Sequence, residues 1–184
     1  MNFPSNILIY GLVFIELIWI ITDPRSFKEK ISQTLKLRPI LYIIFALTIF
    51  LIGILGYKQL SLPSTDFDAQ IIILGLFLFL LGIGITVWAK FTMKGNWGVP
   101  SQHNIERQDG LVTNGPYTYT RNPIYLGLIL TVLGFTLTLR SYFIVLNIVS
   151  IWYFYKVAKK EEELLIKYFG NKYKDYKSKV PLFL

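Results

Sequence analysis

The run AQIIILGLFLFLLGIGITVWAKF, residues 69–91, carries a single charge, Lys90, in 23 positions. A helix rises about 1.5 Å per residue, so such a run reaches across a hydrocarbon layer about 30 Å thick. Backbone groups in lipid must find partners within their own segment, and without the alternation of a barrel strand the solution is a helix. Composition points the same way: 53% of the 184 residues are hydrophobic and 16% charged, against roughly 25% charged in an ordinary soluble domain.

Other runs follow the same pattern. Residues 7–21 are apolar except for Glu16, with Pro4 before them and Thr22, Asp23 and Pro24 after. No basic segment or small-residue cleavage site accompanies them, so a retained span is predicted. Residues 39–56 form a second span, and 69–91 a third. Residues 124–139 and 142–155 are shorter runs separated by Arg140 and Ser141, which predicts a tight membrane hairpin. The last helix is expected to continue through 156–169, which contains no breaker, and to stop at Gly170. The fold expected is all-α and polytopic, with about five transmembrane helices, the last two a hairpin, plus a cytoplasmic C-terminal helical extension.

A net charge of +8 raises nucleic acid as a partner, but the basic residues sort by loop and not into one soluble patch. With the first loop inside, 17 of the 19 Lys and Arg residues are cytoplasmic, leaving Lys58 and Arg140 outside. The positive-inside rule then puts the N-terminus outside and the C-terminus in the cytoplasm. No nucleic-acid partner is expected. The tail NKYKDYKSKVPLFL, with Tyr173 and Tyr176 among lysines, suits the headgroup surface. Absence of cysteine excludes disulfides, thiolate metal sites and cysteine nucleophiles. His103, the only histidine, makes a poor metal site by itself, so no metal is expected.

Chemistry is expected near GPYTYTRNPIY, residues 115–125. Gly115-Pro116 forces a turn, Asn122 is pushed toward an extended conformation by Pro123, and Pro123 suits the first turn of the next helix. Arg121 is thereby left beside a positive helix N-terminus, where carboxylates and phosphates bind. An interfacial anchor, with Tyr117, Tyr119 and Tyr125 as an aromatic belt, explains the same residues. Glu161, Glu162 and Glu163 cannot share one helical face, so one or two should turn inward while the third is solvated; Lys156, Lys159 and Lys160 are within pairing reach. Gly82 and Gly84 suit either close helix packing or close approach of a cofactor. Glu16, costly inside a span, is either functional or neutral and bonded to a neighbouring helix.

Taken in order, these pieces resemble the isoprenylcysteine carboxyl methyltransferase and phospholipid methyltransferase superfamily of integral membrane enzymes. The resemblance rests on GPYTYTRNPIYLG followed by EEELLIKYFGNKYKDYKSKVP, with WAKFTMKGNW and GLVTNGPY upstream and Gly82-x-Gly84 earlier. It implies S-adenosylmethionine as cofactor and a lipophilic small-molecule, lipid or prenylated acceptor entering from the bilayer. Carried onto this chain, Arg121, Asn122 and Glu161 are the candidate catalytic residues. Gly82, Gly84, Trp97, Gly115, Pro116, Tyr117, Arg121, Asn122, Pro123, Tyr125, Glu161 and Glu162 are candidate cofactor contacts. The chain's length, nearly all used by five spans of about 20 residues and short loops, predicts a single integral membrane domain over 1–184, with three spans in 1–92 and, by the resemblance, a cofactor loop, hairpin and catalytic segment in 93–184. Two positions depart from the pattern. Asn122 stands where the family usually has His, and Asn hydrogen-bonds but does not titrate. Val157 stands where many eukaryotic members have Arg. Two rivals remain at this stage, an NADPH-dependent sterol-type reductase and a non-enzymatic membrane scaffold or sensor.

Overall fold

A computed structural model describes residues 3–22, 61–93 and 110–183. The expected span at 39–56, Trp97, His103 and the side chain of Glu16 lie outside the described residues. The described part is helical: α1 (Phe3–Thr22), α2 (Asp68–Met93), a 3-10 turn (Gly115–Thr118), α3 (Pro123–Thr138), a second 3-10 turn (Tyr142–Val145), α4 (Leu146–Phe169) and α5 (Asn171–Lys179). It contains no β-strand, only one isolated antiparallel bridge between Ser61 and Ser141. The all-α expectation therefore holds for these residues. Of the described helices, α2 is the one long and apolar enough to cross a membrane by length and composition, while Pro123–Thr138 is a shorter apolar helix.

The chain divides into two compact units, Met1–Leu76 with Phe135–Ile144, and Phe77–Gly134 with Val145–Leu184. In the first unit Arg140 is the organiser. Its φ of 48° closes the turn after α3, and its guanidinium meets Asp68 Oδ2 at 2.6 Å and donates to the Leu62 and Pro63 carbonyls. Asp68 Oδ1 in turn accepts from the Thr65 amide and hydroxyl, which holds the turn that leads into α2. A residue counted from sequence as a loop charge is a structural clamp.

In the second unit polar side chains share the interior with apolar ones such as Phe79 and Ile83, and large apolar side chains face outward. Thr86, Lys90, Thr120, Thr131, Asn147 and Glu162 are buried, whereas Phe77, Trp88, Phe91, Ile148 and Trp152 are exposed. Soluble domains rarely present so many large apolar side chains to water. Small residues let α2 and α3 approach closely. A Cβ on Gly82 would stand 2.5 Å from the Gly127 carbonyl and 2.6 Å from the Thr131 amide, and one on Gly127 would stand 2.2 Å from Thr86 Oγ1. Backbone atoms cannot yield as side-chain ends do, so this crossing needs glycine on both helices.

The last helices follow from local chemistry. As expected, α4 runs unbroken past residue 155 to Phe169, and Gly170, with φ of 56°, lets the chain turn into α5. In the tail Tyr173, Tyr176 and Lys177 are spaced i, i+3, i+4 and share one face of α5, which packs on α4, and Tyr173 is buried there.

Candidate functional site

The site is built on the irregular segment between Gly115 and Pro123. Gly115 has φ of 58°, a conformation that side chains rarely adopt, and a Cβ there would meet Thr92 Oγ1 at 2.9 Å. Pro116 then starts the 3-10 turn, and Thr118 Oγ1 donates to the Gly115 carbonyl at 2.7 Å. Pro116 and Tyr117 are buried, Tyr119 is exposed, and Pro123 opens α3. The two prolines thus keep the chain out of helix for this stretch.

Arg121 projects from the middle of the segment. Its Nη1 lies 2.8 Å from Glu162 Oε2, with the two side chains 7% and 5% exposed. By distance this is a salt bridge, but the N–H vectors miss the carboxylate. Arg121 Nε and Nη1 and Glu162 Oε2 are buried without an aligned hydrogen bond. Glu162 also meets Lys177 at its Oε1, with Lys159 3.8 Å from the same oxygen. One buried carboxylate thus faces three cations.

Glu161 and Glu163 complete the triplet as the 100° helical step requires. Glu161 turns inward, where its Oε1 accepts the Tyr125 hydroxyl proton at 2.6 Å, and Glu163 is exposed. Burial pushes the Glu161 carboxyl up to about 7, and the Tyr125 bond opposes that rise. The Tyr125 ring stacks on Phe154, with centroids 5.3 Å apart. Burial also raises the Tyr117 hydroxyl, and the negative character of Tyr176 and Glu161 adds to it. Tyr173 is pushed up to about 12 by burial, while neighbouring Arg121 holds it down. Neutral tyrosines and a titratable Glu161 therefore surround a fixed cluster of charge.

Several candidates from sequence meet here. Arg121, Tyr117, Tyr125, Glu161 and Glu162 are linked directly or through a shared partner. Asn122 faces the tail, its Nδ2 donating to the Leu182 carbonyl at 3.1 Å. Gly82 backs onto α3, while a Cβ on Gly84 would meet nothing within 4 Å. Of the lysines weighed as partners for the triplet, Lys159 is near Glu162, and Lys156 and Lys160 are exposed. The sequence pattern assigned Tyr173, Tyr176 and the tail lysines to a headgroup surface and gave no sign that Lys177 meets Glu162. It also passed over Lys90, which is 3% exposed on the inward face of α2, one turn beyond Thr86.

Residues 70–172 match the family described as phospholipid methyltransferase, which is more than half of the chain. The chain belongs to the phospholipid methyltransferase family. It is also similar to the protein-S-isoprenylcysteine O-methyltransferase of Rattus norvegicus, 32% identical over 109 residues, covering 58% of this chain and 38% of the relative. The Schizosaccharomyces pombe protein of the same name is 34% identical over 73 residues, covering 39% and 31%. That of Dictyostelium discoideum is 38% identical over 78 residues, covering 38% and 30%. The matched part spans less than two fifths of each relative's length.

Proposed function

We propose that this protein transfers a methyl group from S-adenosylmethionine to a lipophilic acceptor, prenylated cysteine being the first to try. The observation that carries the reading is the buried Arg121–Glu162 pair, an ion contact of 2.8 Å in which Arg121 Nε and Nη1 and Glu162 Oε2 have no aligned hydrogen bond. Buried polar groups without aligned partners are rare in finished structures and invite a ligand. Arg121 Nε and Nη1 suit a carboxylate, and Glu162 Oε2 suits an ammonium or a ribose hydroxyl. One zwitterionic cofactor end offers these groups together.

S-adenosylmethionine, when bound, supplies an electrophilic methyl on a sulfonium. The chain's own part is to hold, align and dry the site. Arg121 and Glu162 anchor the polar end, Tyr117 and Tyr125 offer aromatic surface, and Gly115 with Pro116 keeps the backbone open beside them. Glu161 places a carboxylate next to Tyr125, and it is mostly ionised above its raised value. Excluding water and fixing the approach are the main levers on a displacement of this kind. Gly84 offers close backbone approach on α2, whereas Gly82 serves packing.

The outward-facing apolar side chains of the second unit support a membrane-embedded chain, and the apolar runs and the Lys/Arg distribution of the sequence favour about five crossings with the N-terminus outside and this site at the cytoplasmic end. A single integral domain is in keeping with two of the three unit boundaries, which fall inside α2 and α3. The acceptor then enters from the bilayer.

The test is transfer of label from methyl-tritiated S-adenosylmethionine by detergent-purified protein, offered an N-acylated S-prenylated cysteine, a fatty acid and a phospholipid amine. Label in one of these products supports the reading. Folded protein that labels none of them contradicts it.

A further inference from the structure

Past α5 the chain becomes extended, with Val180 at φ −122° and ψ 129°, and runs back along residues 120–122. All three of those residues tie to it. The Arg121 amide donates to the Pro181 carbonyl at 2.9 Å. Thr120 Oγ1 and Asn122 Nδ2 both donate to the Leu182 carbonyl at 3.1 Å. A carbonyl oxygen has two lone pairs, so these two side chains fill it. Thr120 Oγ1 also accepts from the Asn122 amide at 3.3 Å, which ties the segment to itself.

The segment needs such support because it is irregular and Thr120 is buried. Buried backbone donors outside helices require a partner from elsewhere in the chain. With residues 120 and 122 and the Arg121 amide committed to the tail, the Arg121 side chain is the group left to reach Glu162. A second clamp acts upstream, where the Tyr176 hydroxyl donates to the Tyr117 carbonyl at 2.6 Å. The tail lies beyond residue 172, where the family match ends.

We infer that residues 181–182 form a strap that fixes the aim of Arg121, and that Asn122 is a positioning residue acting through this strap. The inference rests on the reading of Arg121 and Glu162 as the anchor of the cofactor's polar end. Asn122 then needs no titration, and the hydrogen bond it makes is the property that matters.

Three variants separate the possibilities. Asn122→Asp keeps the size but turns a carboxylate on the Leu182 carbonyl, Asn122→His restores an N–H donor, and truncation after Val180 removes both carbonyls. Two readouts are needed: calorimetric affinity for S-adenosylhomocysteine, and hydrogen exchange of residues 117–125, with retained protection of α2 as the control for folding. Asn122→Asp should weaken affinity about tenfold, the size expected for one hydrogen bond to a buried partner. Truncation should weaken it at least as much, the combined variant no more than truncation alone, and Asn122→His should stay near wild type. Residues 117–125 should lose protection in Asn122→Asp and in the truncated protein.

Multiplying effects of Asn122→Asp and truncation would overturn the inference. So would wild-type affinity in Asn122→Asp, or unchanged protection of 117–125 without the strap. If wild-type protein fails to bind S-adenosylhomocysteine, the cofactor reading fails by itself. The exchange result then still decides whether Asn122 holds the strap.

Discussion

The Tyr125 hydroxyl donates to Glu161 Oε1 at 2.6 Å, joining the first turn of α3 to α4 across 36 residues of sequence. The bond favours the ionised carboxylate, yet burial outweighs it and the group titrates near neutrality.

That balance gives a stability profile with a definite sign. Burial raises Glu161 from 4.5 to about 7, so the folded protein keeps a proton that the unfolded chain releases. Its contribution to stability is full below about pH 4.5 and is lost as pH rises to about 7. Thermal unfolding in detergent should show this decline in wild type and a shallower one in Glu161→Gln. Tyr125→Phe removes the opposing bond and should move the decline to higher pH.

The Arg121–Glu162 pair should behave as a unit. Arg121→Ala leaves Glu162 buried against lysines alone, at a cost of about 3 kcal/mol, the low end for a broken buried pair because the lysines remain. Glu162→Ala leaves three cations facing each other and should cost a similar amount. The double variant should lose less than the sum of the two, which denaturation of all four proteins measures. Arg121→Lys should not rescue, because an ammonium cannot reproduce the guanidinium fork.

The two glycines of α2 should separate cleanly. Gly82→Ala drives a Cβ into α3 backbone and should cost about 1–3 kcal/mol. Gly84→Ala meets nothing within 4 Å and should gain up to about 1 kcal/mol from helix propensity. Melting temperatures of the two variants in one detergent test this directly.

Much of this was legible because the signals were local. Apolar run length foretold α2, the Pro and Gly positions foretold the irregular segment and the stop at Gly170, and the helical step foretold that the three glutamates would part, though not which of them would face solvent. What escaped depended on tertiary partners. The i, i+3, i+4 spacing on α5 marks a face but not its target, so Lys177 at Glu162 could not be read. Burial of Lys90 depends on which way α2 turns, and a helix apolar on every side gives no cue to that. Gly82 looked equivalent to Gly84 because nothing in Gly-x-Gly says which one meets Gly127. Asn122 stood out as a departure from a motif, whereas its partner, the Leu182 carbonyl, lies 60 residues away and is a backbone atom that any residue would offer.

The central claim is that the Arg121–Glu162 centre binds the methyl donor, and the most direct measurement is calorimetric titration of S-adenosylhomocysteine into detergent-purified protein. Micromolar binding by wild type, lost in Arg121→Ala and in the Glu161→Ala/Glu162→Ala double variant while all three remain folded, is the predicted result. Wild-type affinity in both variants, or no binding by folded wild-type protein, would contradict it.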